Sequence, residues 1–370
     1  MKLKCNGLAL SEAVNKVTNA LPVKKNNTYY EGIKLTVSGN YLTLTATDQD
    51  LTIIKRIEAD IKIEGEVLVY GSVFAQYVRS INNSYEQIEL ECTDGKTLTL
   101  RYGDNNVDIK CMNVSAYPLI EEVQAITTLE LKKDDLKELI KKTVFSAAVE
   151  DGRPILKGCL FEINNKELTV VSLDGYRLSL CRKEIVSVDT AKQNFLIPAK
   201  SLSEISKFID EAEDTVKIAF SKDKLSVDIN NTIIISRLIM AEFVNYRNII
   251  TTGFTTRVAF NKNAFQDSIA RATIMTKAGK NNLVKLEIRE DSVLIDAISD
   301  MGHINETIPA YVEGKDTVMF FNGTYLIDFL KTIEEEEIAM NIKTNNSPCI
   351  FTQTEGNDYL FLVLPMKVNY

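Results

Sequence analysis

A single histidine, His303, occurs in the 370 residues of this chain. With one imidazole, most nucleophile–histidine triads, His-ligated metal sites and imidazole acid–base schemes drop out. Six cysteines stand at positions 5, 92, 111, 159, 181 and 349, and none forms a C-x-x-C pair. Neither a zinc knuckle nor a thioredoxin-like motif is therefore available, and the thiols read as small apolar residues kept reduced. No G-x-G-x-x-G follows a strand-like run and no G-x-x-x-x-G-K-[ST] occurs, so nucleotide binding has no support. No apolar run approaches the roughly 18 residues of a membrane span, and Met1-Lys2-Leu3-Lys4-Cys5-Asn6-Gly7 does not lead into a signal-peptide core. A cytoplasmic protein with no membrane partner is expected. The net charge of −8 argues against a chain coated in nucleic acid, but leaves room for one basic surface on an otherwise acidic body.

What is present is repetition. Gly32 to Asp48, Gly158 to Asp174 and Val284 to Asp300 each read as two alternating strands joined by a short polar turn. Their terminal aspartates are equally spaced along the chain, which marks a tandem architecture. A short strand and an amphipathic helix precede each hairpin, with apolar residues three or four apart: Leu10, Val14 and Val17, then Leu136, Ile140 and Val144, then Phe265 and Ile269. Another strand and helix follow each hairpin, from Val67, Phe195 and Val318, and further alternating strands close each unit.

The fold class expected is therefore α+β, three repeated domains with two helices and antiparallel sheets apiece, the helices covering one sheet face. Boundaries fall where alternation lapses, near 122–127 and 251–256, giving domains 1–124, 125–253 and 254–370. No Gly/Ser- or Pro-rich linker separates them, so they are expected to abut rigidly.

Two carboxylate groups could be imagined as metal ligands. Glu334–Glu337 are four in succession and point in different directions, as a solvated loop does. Glu150-Asp151 precedes the turn-prone Gly152-Arg153-Pro154. A metal-dependent nuclease needs carboxylates converging from several elements, and the repeat offers no such set, so no catalytic residue, metal or cofactor is assigned.

Ser172-Leu-Asp-Gly-Tyr-Arg-Leu178 resembles the TDGHRL-type segment of bacterial DNA polymerase III beta subunits, the sliding clamps. Phe243-Val-Asn-Tyr246 resembles that family's FPDY segment, and Leu364-Pro-Met-Lys367 its PM[RK] ending. Tyr117-Pro118, Pro198-Ala199-Lys200 and Phe321-Asn322 match further segments, so the resemblance spans essentially the whole chain. It implies a DNA-clamp fold in a head-to-tail homodimeric ring, with helices lining the hole. The function implied is that of a non-catalytic processivity factor encircling double-stranded DNA. The partners implied are the polymerase III alpha subunit, the clamp loader, and other polymerases and repair proteins bound through short linear motifs. The rival from another class is a diverged protein-interaction scaffold on the same fold.

Residue by residue, the resemblance places Lys24, Arg153, Pro154, Ile155 and Lys200 near DNA. Ser72 and Glu150 stand where relatives can carry Arg and Gln, a loss that Lys132, Lys133, Lys141, Lys142, Lys277 and Lys280 could offset. The six expected helical cores, 8–20, 71–81, 133–147, 199–212, 261–275 and 323–331, together carry a small positive charge, the sign that phosphate attraction without base readout requires. The peptide groove implied comprises Leu156, Leu173, Gly175, Tyr176, Arg177 and Leu178, then Val244, Asn248 and Ile249, then Val363, Leu364, Pro365, Met366 and Lys367. From the residues alone, Leu156, Leu178 and Val363 read equally well as plain core, and Gly175 as a turn residue. Val244 replaces the expected proline and Asn248 a residue that is often basic. At the dimer interface, Val107 and Ile109 are expected against Ile274 and Met275 of the other copy.

Overall fold

The structure, a computed structural model, describes residues 1–23, 28–81, 86–150, 152–276, 282–300, 302–354, 356 and 358–367. By compactness the chain divides into one unit of Met1–Lys133 with Glu204–Leu238 and another of Asp134–Ser203 with Ile239–Tyr370. This cut runs through the middle repeat, because each half of it continues the sheet of a neighbouring repeat.

In the first unit, helices α1 (Gly7–Val17) and α2 (Gly71–Ser80) lie against antiparallel strands. Helix α1 starts where the Asn6 side chain accepts a hydrogen bond from the Ala9 amide, 3.0 Å away. It buries Leu10, Ala13, Val14 and Val17, one stripe at helical spacing. Helix α2 buries Phe74, Ala75 and Val78 and begins on Gly71, where a Cβ would stand 2.8 Å from the Glu31 carbonyl oxygen. The hairpin expected near Gly32–Asp48 is there as strands Gly32–Ser38 and Tyr41–Thr47, with Gly39 turning at φ +62°.

The thirteen-residue strand Leu51–Ile63 meets two partners along one edge. Its far end pairs with Lys2–Asn6, and its first residues, Leu51 to Lys55, pair with Ser236 to Thr232 of the middle repeat. Two repeats thus share one continuous sheet, and no edge is left exposed at their junction.

The second unit holds α3 (Lys133–Thr143) from Asp134 onward, α5 (Lys262–Thr276) and α6 (Gly323–Leu330), while α4 (Ala199–Ser206) straddles the cut. A nine-stranded antiparallel sheet runs through it, and a four-stranded sheet ends in the strand Gly302–Pro309. The sheet passes from the middle to the last repeat where Arg177 to Cys181 pair with Val363 to Tyr359, the same seam one repeat on. Behind it, rings of Phe265, Phe329, Phe351, Tyr359 and Phe361 stack at centroid separations of 4.6 to 6.3 Å. Cys159 and Cys181 sit in this interior, where burial pushes their thiols up to about 12, so they act as small apolar residues.

Among the described residues no helix is long and apolar enough to cross a membrane.

Candidate peptide-binding groove

Every residue assigned to the groove lies in the second unit. Three segments converge there: the 3-10 turn Pro154–Lys157, the Asp174–Leu178 corner between two strands, and the stretch from Ile239 to Ile250. The last described residues, Leu364 to Lys367, run alongside.

The corner is built by Asp174. Its Oδ1 accepts hydrogen bonds from the amides of Tyr176 (2.9 Å) and Arg177 (3.0 Å), and Gly175 supplies the required φ of +95°. The Leu364 amide donates to the Tyr176 carbonyl (2.8 Å) and the Met366 amide to the Phe320 carbonyl (2.7 Å). The terminal segment is thereby laced between the corner and strand Thr317–Asn322.

Not all the assigned residues reach the surface. Leu156, Leu173, Leu178 and Val363 are buried. The three leucines belong to one cluster with Leu160, Leu180, Tyr246 and Leu362, on which Ile155, Phe243, Val244 and Leu364 pack from outside. The outward layer is Gly175, Tyr176, Asn248, Ile249 and Lys367, all exposed, with Val244, Leu364, Pro365 and Met366 half-buried. The arrangement is an apolar floor with an adaptable methionine and a few polar tips, suited to apolar anchors of a bound segment.

Arg177 carries the most polar geometry. Its Nε donates to Asp174 (2.9 Å) and its Nη1 to Asp328 of α6 (2.7 Å), while the guanidinium lies 4.6 Å from the Tyr325 ring centre and 5.6 Å from that of Phe145. Tyr325 stacks in turn on Tyr176, centroids 6.2 Å apart, and Tyr176 remains 60% exposed. Phe145, Tyr325 and Asp328 escaped sequence reasoning. The only signal available was that Tyr325 and Asp328 are one turn apart on an amphipathic helix.

A buried carboxylate braces the neighbouring wall. Glu162 takes a hydrogen bond from the Tyr246 hydroxyl (2.7 Å) and both its oxygens from Arg247 Nη2 (2.7 and 2.8 Å). Burial opposes its ionisation, but the Tyr246 and Arg247 bonds outweigh that and hold it below the usual carboxylate range.

Of the residues assigned to DNA, Ser72, Glu150, Arg153, Pro154 and Lys200 are exposed and Ile155 is half-buried. Lys24 lies outside the described residues, as do Lys277, Lys280 and Asp151. Lys142 cannot offset a lost DNA contact. Its side chain is only 4% exposed and its ammonium is bound by Glu138 (2.7 Å) and Glu335 (3.3 Å). Lys141 pairs with Glu334 (2.6 Å), so the first two carboxylates of the acidic run are partners of α3 where a purely solvated loop was expected. Among the described residues no group of three or more His, Cys, Asp or Glu could hold a metal.

Of the residues assigned to the dimer contact, Ile274 is 66% exposed, Met275 and Val107 are half-buried, and Ile109 is buried. Ile298, also assigned by no sequence signal, is 70% exposed and pairs with His303 on the outermost strand of the four-stranded sheet. His303 bonds to Asp296 at 2.8 Å.

Comparison with known proteins gives one consistent result. Models of the DNA polymerase III beta subunit match in chain order: the N-terminal domain over residues 1–121, the central domain over 130–245 and the C-terminal domain over 247–367. The beta sliding clamp of Halalkalibacterium halodurans is 28% identical over 367 residues, covering 96% of both chains. That of Bacillus subtilis is 26% identical, covering 99% of this chain and all of the other. Among solved structures, a putative DNA polymerase III beta subunit from Eubacterium rectale aligns at TM-score 0.93 and 29% identity. The DNA polymerase sliding clamp of Bacillus subtilis aligns at 0.95 and 25%, and both alignments cover all of both chains.

Proposed function

The chain belongs to the DNA polymerase III beta subunit family, and from that premise we propose that it is a DNA sliding clamp. It is an accessory subunit, not an enzyme: a cytoplasmic processivity factor whose closed ring holds duplex DNA and whose groove tethers a polymerase and other DNA-processing proteins.

The observation that carries this reading is the repeated seam. Strand Leu51–Ile63 of the first repeat pairs with Thr232–Arg237 of the second, and strand Arg177–Glu184 of the second with Tyr359–Val363 of the third. The corresponding strand of the third repeat is Gly302–Pro309, outermost in its sheet. The corresponding receiving strand of the first repeat is Asn105–Met112. Its residues 105–110 pair with Thr97–Tyr102 on one side and have no strand partner on the other among the described residues. These two edges complement each other, so a second copy docked head to tail satisfies both and closes the ring, covering Ile274 and Ile298. The domain limits 1–124, 125–253 and 254–370 fit this scheme of three equivalent bodies per copy.

A closed ring holds DNA topologically, so the contacts made by Arg153 and Lys200 need only be exchangeable phosphate contacts. Glu150 and Ser72 add no positive charge, which favours a loose grip. In the groove, burying two apolar side chains of a partner segment contributes about 3–6 kcal/mol gross. Ordering costs take back part of this, so the two anchors alone leave an interaction weak enough for partners to exchange.

The test is retention on nicked circular plasmid, before and after linearisation, with a clamp loader and ATP at moderate salt. Loss of protein only on linearisation supports encirclement. Release that follows salt and ignores DNA ends would refute it.

A further inference from the structure

The groove wall that runs from Ile239 to Ile250 is held to the sheet at few points. At its start the Ile239 amide donates to the Leu196 carbonyl (2.8 Å). Further on it forms a short turn, with the Asn248 amide on the Asn245 carbonyl (3.3 Å) and the Ile249 amide on the Tyr246 carbonyl (3.0 Å). Between these points Phe243 and Val244 pack on the leucine cluster, with no backbone hydrogen bond to a strand among the described residues. Val244 stands where a proline would have fixed φ, so the backbone here lacks the stiffness that a pyrrolidine ring provides.

We propose that Glu162 is a positioning residue for the peptide groove, fixing through Tyr246 and Arg247 the wall that carries Val244, Asn248 and Ile249. This rests on the groove reading above and names what holds the groove in shape.

The geometry is specific. Glu162 is the only carboxylate among the buried charged residues described, 9% exposed, on strand Gly158–Asn164, which follows the turn carrying Leu156. One oxygen is shared by the Tyr246 hydroxyl and Arg247 Nη2, and the other is bound by the same nitrogen. The Arg247 guanidinium also covers the Tyr246 ring, 4.7 Å from its centre. The two wall residues are thus bound to the carboxylate and to each other. The Tyr246 ring enters the same cluster as Leu156, Leu173, Leu178 and Leu362 beneath the groove. A shift of the turn would therefore carry Asn248 and Ile249 out of place while leaving the leucine floor intact. Apolar packing has no direction, whereas hydrogen bonds to a buried charge fix orientation, and one left unpaired in the interior is strongly disfavoured.

The experiment is a double-mutant cycle on the full-length protein with Glu162→Gln and Arg247→Met, read by fluorescence anisotropy of a labelled short peptide with Leu and Phe anchors. Glu162→Gln preserves shape and leaves an oxygen for Tyr246. Arg247→Met changes an exposed side chain and leaves the fold in place. Each single change is expected to weaken the peptide about three- to tenfold, through faster release. The double variant should be no worse than the weaker single one, and the lifetime of protein once loaded on circular DNA should be unchanged throughout. Hydrogen exchange at the Asn248 and Ile249 amides should accelerate in parallel. Wild-type affinity in both single variants would overturn the proposal, as would additive losses, which mean that the two residues act separately. A wild-type protein that does not bind the peptide sinks the groove reading itself, a result distinct from wild-type binding that the variants leave untouched.

Discussion

Replacing Lys142 by alanine tests how the second and third repeats are joined. Its ammonium is 2.7 Å from Glu138 one turn earlier on α3, 3.3 Å from Glu335, and 5.1 Å from the ring centre of Tyr359. Breaking a buried ion pair from one side typically costs about 3–5 kcal/mol. Here the orphaned carboxylates keep other partners, Lys183 at 2.5 Å for Glu138 and Gln353 for Glu335, and each is about one-third exposed. The ionic loss is therefore nearer about 1–2 kcal/mol. Losing the packed methylenes and the contact with Tyr359 adds about 1–2 kcal/mol. Lys142→Ala should cost about 3 kcal/mol, and Lys142→Met, which keeps most of the packing, roughly half of that.

Urea unfolding gives the overall loss, and hydrogen exchange in Tyr359–Val363 gives the local one, since three repeats need not unfold as one step. The pH dependence follows from the direction of each shift. Burial opposes the ionisation of Glu138 and Glu335, yet hydrogen bonds hold both below the usual range. Their contribution is present above the unfolded carboxylate value, about 4.3, and is lost as pH falls through the lower folded value. Burial also opposes the charge on Lys142, but its partners raise it above the ordinary lysine value. That contribution is present below about 10.4 and is lost as pH climbs through the raised value. The difference between wild type and Lys142→Ala should be flat from roughly pH 5 to 10 and shrink at both ends. A loss under about 1 kcal/mol, or one that ignores pH, refutes the reasoning.

Ring closure predicts that Ile274→Ala with Met275→Ala yields monomers, and that Ile298→Asp does so alone; light scattering after size exclusion would count against the seam by showing intact dimers. Gly314→Ala should lower the thermal midpoint strongly, because its φ is +132° and a Cβ would stand 2.4 Å from the Thr255 carbonyl oxygen. A cost of at least about 2 kcal/mol is expected, and a neutral result would contradict that clash. Arg153→Ala and Lys200→Ala should each weaken equilibrium binding to linear duplex DNA and reduce the salt slope of that binding by about one unit, whatever the DNA sequence, with retention on circular DNA unchanged. Unchanged slopes would remove those two residues from the DNA-facing surface.

The repeat was legible because strand alternation and turn residues are local properties, carried by segments such as Gly158 to Asp174. Helix ends were less so. The expected helical core 133–147 stops at Thr143, whose hydroxyl bonds back to the Leu139 carbonyl (2.6 Å) and whose own carbonyl is taken by the Ser172 hydroxyl. The expected core 199–212 ends at Ser206 and resumes as the 3-10 turn Ile209–Glu211. Roles that depend on distant partners were not legible at all. Glu162 meets Tyr246 and Arg247 only through the fold, and Glu334 and Glu335 meet Lys141 and Lys142 across most of two repeats. The assigned leucines show a related limit, since a groove floor and a core follow the same apolar pattern.

Among the described residues three charged side chains are buried: Lys55, Lys142 and Glu162. Two of them reach across a boundary between repeats. Lys55 donates to the Asn230 carbonyl (2.6 Å) where the first repeat meets the second, and Lys142 binds Glu335 where the second meets the third, while Glu162 binds Tyr246 and Arg247 near the end of its own repeat. Apolar strands such as Thr232-Ile-Ile-Ile-Ser236 could slide by two residues against Leu51–Lys55 and still bury aliphatic side chains. A buried charge with one good partner makes any other register costly, at some expense in net stability. The edge Gly302–Pro309 has no such device. The equal spacing of Asp48, Asp174 and Asp300 sets Thr307 at the position of Lys55, and the neighbouring His303, Asn305 and Glu306 are exposed or half-exposed. A seam that must part to admit DNA and close again is better served by backbone pairing and the apolar contacts of Ile274 and Ile298 than by a buried ion, whose separation would have to be repeated at every loading. The two seams inside the chain carry no such requirement, and they hold Lys55 and Lys142, two of the three buried charges among the described residues.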